Sequence, residues 1–192
     1  MRHSKVYIAL LHYPMYNKNM DIVTTSVTNL DIHDIARAAR TYDVDGFYIV
    51  HPSASQQELI QDILAYWQEG YGGRYNSDRQ EALRLLRLAK DFPAVLEGIR
   101  QETGEETVIT VATDARCYPK TIAYSGLRSY MAETEQVYLL LFGTGWGIGQ
   151  ELMDRCDHIL EPISGAGGYN HLSVRSAVAI ILDRLLGATW YN

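Results

Sequence analysis

The chain has 192 residues, 47% of them hydrophobic and 21% charged, with a net charge of −6. That length and balance fit one sizeable core in a single domain spanning residues 1–192 and exclude a disordered or low-complexity chain. The acidic total argues against a broadly basic nucleic-acid coat but leaves room for a local patch.

In chain order, "KVYIALLHY" (5–13) reads as a strand, followed by a helix in "DIHDIARAARTY" (31–42) that places Ile32, Ile35, Ala36 and Ala39 on one face. "GFYIV" (46–50) is a second strand, and "QELIQDILAYWQ" (57–68) a second helix with Leu59, Ile60, Ile63, Leu64 and Trp67 together. "SDRQEALRLLRLAK" (77–90) reads as a helix capped by Ser77 or Asp78, and "DFPAVLEGIR" (91–100) as one with Asp91 near its start and Pro93 in its first turn. Strands follow at "TVITVAT" (107–113), "QVYLLLFG" (136–143) and "HIL" (158–160). The last helix, "LSVRSAVAIILDRLL" (172–186), turns Val174, Ala177, Val178, Ile181 and Leu185 inward and stops at Gly187. Near-continuously apolar strands alternating with amphipathic helices predict an α/β fold, with a mostly parallel sheet and helices on both faces.

The apolar runs are too short or too interrupted to span a bilayer, and "MRHSKVYIALLHYP" lacks a small-residue cleavage site, so the expectation is a cytoplasmic protein with no membrane partner. Cys117 and Cys156 form neither a CxxC metal site nor a disulfide framework and read as reduced thiols.

Function concentrates in two loops. "LLLFGTGWGIGQEL" (139–152) spends four positions on glycine directly after a strand, and "ILEPISGAGGYNHLSVRSAVAIILDRLLG" (159–187) again runs from strand through a glycine-bearing loop to a helix. In open α/β sheets ligands gather at the carboxyl ends of strands, so both loops qualify by position as walls of one pocket. The GxGxxG fingerprint fails, because the sixth position is Ile148 counted from Gly143 and Gln150 counted from Gly145. A phosphate loop is excluded because no Gly-Lys pair occurs, and GxSxG and HExxH are absent too.

With an earlier segment, "VTNLDIHDIARAARTYDVDGFYIVHP" (27–52), these two stretches resemble, in order, the three motifs of the SPOUT superfamily of S-adenosylmethionine-dependent RNA methyltransferases. The wording is similar to a stand-alone branch related to the catalytic domain of tRNA guanine-N1 methyltransferases. The resemblance covers most of the chain. It implies a C-terminal deep trefoil knot, one of the rare exceptions to the rule against threading. It also implies a homodimer in which the partner copy completes the site, with tRNA or rRNA as substrate.

The resemblance further implies a cofactor wall at Phe142, Gly143, Gly145, Trp146 and Gly147. A second wall would be Leu160, Glu161, Pro162, Ile163, Asn170, His171, Leu172 and Ser173, with Thr113 on a third side. Trp146 either stacks on the ligand or caps the core. Two departures stand out: Gly145 occupies a position where many relatives carry glutamate, and Ser173 and Arg175 replace the family's Asn and Ser.

Methyl transfer from a sulfonium is an in-line displacement that needs no metal, so it rests on positioning and on a proton acceptor. The family's first-motif arginine falls on Arg37, read as an RNA contact or as a surface partner of Asp34. Asn29 and Asp31 serve catalysis or cap the helix, and His33 is either a proton acceptor or structural. RNA contact is expected along 74–90, where Arg74, Arg79, Arg84, Arg87 and Lys90 oppose only Asp78 and Glu81, with Tyr71 and Tyr75 as stacking rings; a solvated helix face is the alternative. A chain without a strong basic surface would lean on a second RNA-binding protein or domain. Two other classes stay open: a SPOUT-like subunit or sensor that binds S-adenosylmethionine without catalysis, and an α/β enzyme that uses another nucleotide.

Overall fold

The structure, a computed structural model, describes residues 3–188. In chain order it comprises β1 (Lys5–Leu11), β2 (Met15–Tyr16), β3 (Ile22–Val23), α1 (Asn29–Thr41), β4 (Gly46–Val50) and α2 (Ala54–Gln68). There follow α3 (Tyr71–Tyr75), α4 (Ser77–Leu83), β5 (Leu86–Ala89), α5 (Phe92–Thr103), β6 (Val108–Ala112) and β7 (Thr121–Ile122). The chain closes with α6 (Tyr124–Glu133), β8 (Val137–Gly143), α7 (Gln150–Arg155), β9 (His158–Leu160) and α8 (Val174–Leu186).

Seven strands form one parallel sheet in the order β5-β4-β1-β8-β6-β9-β7. Every residue of β1 after Lys5 is buried, as are all of β4 and all of β8 except Gly143. Burial on both faces is why these strands read as unbroken apolar runs. Val6, Ile8 and Leu10 point into a core shared with α1, α4, α6 and α8, while Tyr7, Ala9 and Leu11 point into a second core shared with α5 and α7. The sheet carries the two-stranded β2–β3 hairpin beside it.

All five expected strands form, and α1 buries the expected Ile32, Ile35, Ala36 and Ala39. Asp91 caps α5 by accepting the Ala94 N–H, with Pro93 in the first turn. Three expectations change. The helix expected over 77–90 ends at Leu83, and Leu86–Ala89 becomes an edge strand; its cap is Asn76, whose side chain accepts the Arg79 N–H, in place of Ser77 or Asp78. In α2 only Ile60 is fully buried, so the outer half of its apolar face stays open, with Leu59 exposed. In α8 the inward residues are Val178, Ile181, Leu182 and Leu185, with Val174 and Ala177 half-buried.

Leu140 is fully buried at the sheet centre, paired with Ile8 on one side and Val111 on the other. Leu140→Ala should therefore cost about 2–5 kcal/mol of stability, read as a lowered denaturant midpoint with unchanged slope.

Candidate functional site

The strand order turns back on itself around β1, β8 and β6, so the loops after those strands meet at one edge. The glycine loop after β8 does not stand free there. The Tyr16 N–H donates to the Gly147 carbonyl at 2.9 Å, the Trp146 N–H to the Tyr16 carbonyl at 2.9 Å, and the Gly149 N–H to the Pro14 carbonyl at 2.9 Å. The segment leading into the hairpin is thus zipped along the loop. Gly145 has φ +58°, and a side chain there would meet the Tyr16 carbonyl at 2.9 Å. Gly147, at φ +108°, is in a conformation that side chains rarely adopt, and its α-carbon faces the Asp114 carboxylate and the Arg116 guanidinium. Part of the need for bare backbone therefore comes from the protein itself.

A partly buried polar shelf lies beneath this loop. Thr25 and Thr144 share a hydroxyl hydrogen bond, Thr144 Oγ1 donates to the Leu11 carbonyl at 3.0 Å, and Thr25 Oγ1 lies 3.0 Å from His12 Nδ1. His51 Nδ1 accepts the Ser53 N–H, which leaves its Nε2 as the donor to the Thr25 carbonyl at 3.1 Å. The two imidazoles sit 5.5 Å apart between centroids. Burial above all, reinforced by His51, pushes His12 down to about 4, and burial likewise lowers His51.

The loops after β6 and β9 carry the other residues expected to line the cofactor. Asp114 is held by Arg116 through two side-chain bonds of 2.9 Å, and Asn170 Nδ2 donates to the Ala115 carbonyl at 2.7 Å, tying 170 to 115. Thr113 turns both its N–H and its hydroxyl to the Leu141 carbonyl. Phe142 and Leu160 have buried side chains facing the α1 core, so only their backbone is open to a ligand. Glu161 accepts the Tyr124 N–H at 2.6 Å and so caps α6, whose preceding residue, Ala123, offers no side-chain cap. Ile163 packs against the core, Pro162 is half-buried, and His171 meets Tyr169 edge-on at 5.4 Å. Ser173 caps α8, Leu172 is exposed, and Trp146 is 62% exposed, so it does not cap the core. A side chain added at Gly165, Gly167 or Gly168 would meet open space, which leaves the second wall room for a ligand against its backbone.

Helix α1 brings the remaining candidates together. Thr28 is its cap, in place of Asn29 or Asp31: the Thr28 hydroxyl donates to Asp31 Oδ2 at 2.6 Å and accepts the Asp31 N–H. Asp31 is buried and pairs with Arg175 Nη1 at 3.0 Å, while Arg175 Nε reaches Asp34 at 3.3 Å, so the α8 start is bolted to α1. Asp34 is thereby taken by Arg175, and Arg37 makes no ion pair among the described residues. Asn29, His33 and Arg37 line one groove of about 670 Å³ between α1 and α2, shared with Arg79. Burial, then Arg79, lowers the pKa of His33, leaving it neutral near pH 7.

The expected RNA face divides. Arg74, Tyr75 and Arg84 are exposed and Arg79 half-exposed on α3, α4 and their ends. Arg87, on β5, points to the opposite sheet face, where it pairs with Glu102 at 2.6 Å near the Tyr48 ring. Sequence reading missed Thr25, Thr144, His12 and Asp114. The one signal for His12 and His51 was a histidine after each of two strands.

A parallel, helix-flanked sheet whose carboxyl-edge loops include a glycine-rich turn is the fold that this chain shares with solved methyltransferase structures. The SpoU methyltransferase AviRb from Streptomyces viridochromogenes, solved with AdoMet, superposes with a TM-score of 0.58 at 15% identity, covering 97% of this chain and 58% of that one. In sequence, residues 5–187 match the family of SAM-dependent RNA methyltransferases, and the chain belongs to that family. It is 49% identical over 185 residues to an uncharacterized protein of Aquifex aeolicus strain VF5, covering 96% of this chain and 90% of that one. It is 43% identical over 182 residues to the tRNA (guanine-N(1)-)-methyltransferase of Oleidesulfovibrio alaskensis, covering 95% of this chain but only 42% of that protein.

Two measurements check this geometry. Because His12 is neutral in the fold down to about pH 4 whereas a free imidazole protonates near 6.5, the unfolded chain binds the extra proton in between. Stability should therefore be full above about pH 6.5 and fall as pH drops toward 4, by up to about 3 kcal/mol, and His12→Gln should flatten that part of the curve. Gly145→Ala should lower stability by about 1–2 kcal/mol from its positive φ alone, with any larger loss reporting the clash with Tyr16; calorimetric melting measures it.

Proposed function

We propose that this chain transfers a methyl group from S-adenosylmethionine to a nucleotide of tRNA. The observation that carries the reading is the convergence of the 113–118, 143–149 and 161–173 loops at the carboxyl edge of a sheet whose sequence belongs to the SAM-dependent RNA methyltransferase family. The tRNA assignment is supported by the relatives named as tRNA methyltransferases, of which this chain spans less than half.

In this reading Gly143, Gly145, Trp146 and Gly147 form one wall of the cofactor seat, the backbone from Leu160 to Ser173 the second, and Thr113 the third. When bound, the cofactor supplies an electrophilic methyl group. The protein's own part is to align the nucleophile, exclude water and accept a proton. Arg37, whose guanidinium makes no ion pair among the described residues, orients the RNA, and neutral His33 one helical turn before it is the candidate acceptor. The chain works as a homodimer, its partner copy completing the site, and a trefoil knot holds the 143–149 and 161–173 loops together. These features are supported by kinship with the SPOUT methyltransferases.

The direct test is transfer of labelled methyl from S-adenosylmethionine to unmodified tRNA, with Arg37→Ala in parallel. Wild-type protein should label tRNA, and the variant should do so on the order of a hundredfold more slowly while binding the cofactor unchanged in calorimetry. Tight cofactor binding with no transfer to any RNA would instead identify a non-catalytic binding subunit.

A further inference from the structure

The groove between α1 and α2 is unlike an ordinary helix seam. Its centre is Trp67, with the Arg79 guanidinium 4.7 Å from the ring centroid, His33 edge-on at 5.2 Å and Tyr66 edge-on at 5.3 Å. Arg79 Nε and His33 Nδ1 are buried without a hydrogen-bond partner. The outer rim is Leu30, 60% exposed, and Tyr66, 50% exposed. With Asp34 engaged by Arg175, the groove has two guanidiniums, Arg37 and Arg79, against the single remaining carboxylate of Asp62. Helix α3 sits directly on the same rings, since a side chain at Gly72 would strike Tyr66 at 2.6 Å and Trp67 at 2.8 Å. It extends the surface with a stacked, exposed pair, Tyr71 and Tyr75, at 6.2 Å, beside exposed Arg74.

Cations interleaved with accessible rings are the chemistry that takes an unpaired nucleotide: the rings stack on a base of any identity and the guanidiniums meet its phosphate. A volume of about 670 Å³ falls within the roughly 300–1,000 Å³ that small-ligand sites occupy. A second copy of the chain fits less well, because the core of a protein interface is depleted of charge, whereas Asp34, Arg37, Asp62 and Arg79 all line this groove.

We propose that this groove binds one unpaired nucleotide of the RNA substrate, its base against Tyr66 and Trp67 and its phosphate on Arg37 and Arg79. This rests on the reading that the chain methylates RNA. It adds a stacking subsite on the helical layer, outside the cofactor loops, which holds the RNA through α2 and α3 as well as α1. None of Tyr66, Trp67 and Tyr71 carries a role in the cofactor seat.

Binding of a fluorescein-labelled hexauridylate and of tRNA, followed by anisotropy without cofactor, tests it on three variants. Tyr66→Ala should weaken both RNAs about tenfold, and Tyr66→Phe, which keeps the ring, should bind as the wild type does. Arg79→Gln should weaken binding and lessen its salt dependence. Calorimetric affinity for S-adenosylmethionine, which reports the methyltransferase reading separately, should be the same in all. Unchanged RNA affinity in Tyr66→Ala and Arg79→Gln overturns the proposal whatever the cofactor result. So does a fall in sedimentation mass of Tyr66→Ala, which would make the groove a contact between copies.

Discussion

The short backbone ladder between Pro14–Tyr16 and Trp146–Gly149 is the constraint on which the edge of the sheet depends. Strands β1 and β8 are paired along their full lengths and buried on both faces, so the two chains leave the sheet side by side. An amide left without a partner is costly, and here the two loops satisfy each other. Glycine is required at 145 because a side chain there would strike the Tyr16 carbonyl, and at 147 because one would strike Asp114 and Arg116. The loop is consequently shaped before any ligand arrives, with its far side turned to Asp114 and the 113–118 loop.

The polar shelf of Thr25, Thr144, His12 and His51 extends the same logic inward. Four polar side chains meet where β1, β4 and β8 end, and they are tolerated because they bond to one another and to strand carbonyls. Arg175 does for the helical layer what this shelf does for the sheet edge. By holding Asp31 and Asp34 together it fixes the start of α8, and with it the end of the 161–173 loop, to the helix that carries Arg37. The 161–173 loop and the helix that carries Arg37 are thus linked by one guanidinium.

The strands were legible because double-sided burial writes itself as unbroken apolar runs, and α1 because its four inward residues recur at helical spacing. Residues 84–90 misled because Leu83, Leu86 and Lys90 continue the spacing of α4, and no glycine or proline marks the break at Arg84. The β2–β3 hairpin has strands of only two residues, below the length at which alternation can be seen. Segments 124–133 and 150–155 went unassigned as helices, although Tyr124, Leu127 and Met131 carry the periodicity of α6. In the site, the loops were found by their glycines, but the reason for Gly145 lay 129 residues away at Tyr16 and that for Gly147 at Asp114 and Arg116, partners no local pattern names. Glu161 read as a ligand residue, yet its carboxylate serves a helix start 37 positions upstream. Contacts of that separation belong to the fold, and single-sequence reading reaches them only through resemblance.

Amide hydrogen exchange with and without S-adenosylmethionine tests most directly whether the three carboxyl-edge loops are the cofactor seat. Slowed exchange is expected in 113–118, 143–149 and 161–173 together, with the α1–α2 groove unaffected by the cofactor alone. Protection confined to the groove, or to the opposite edge of the sheet, would contradict it.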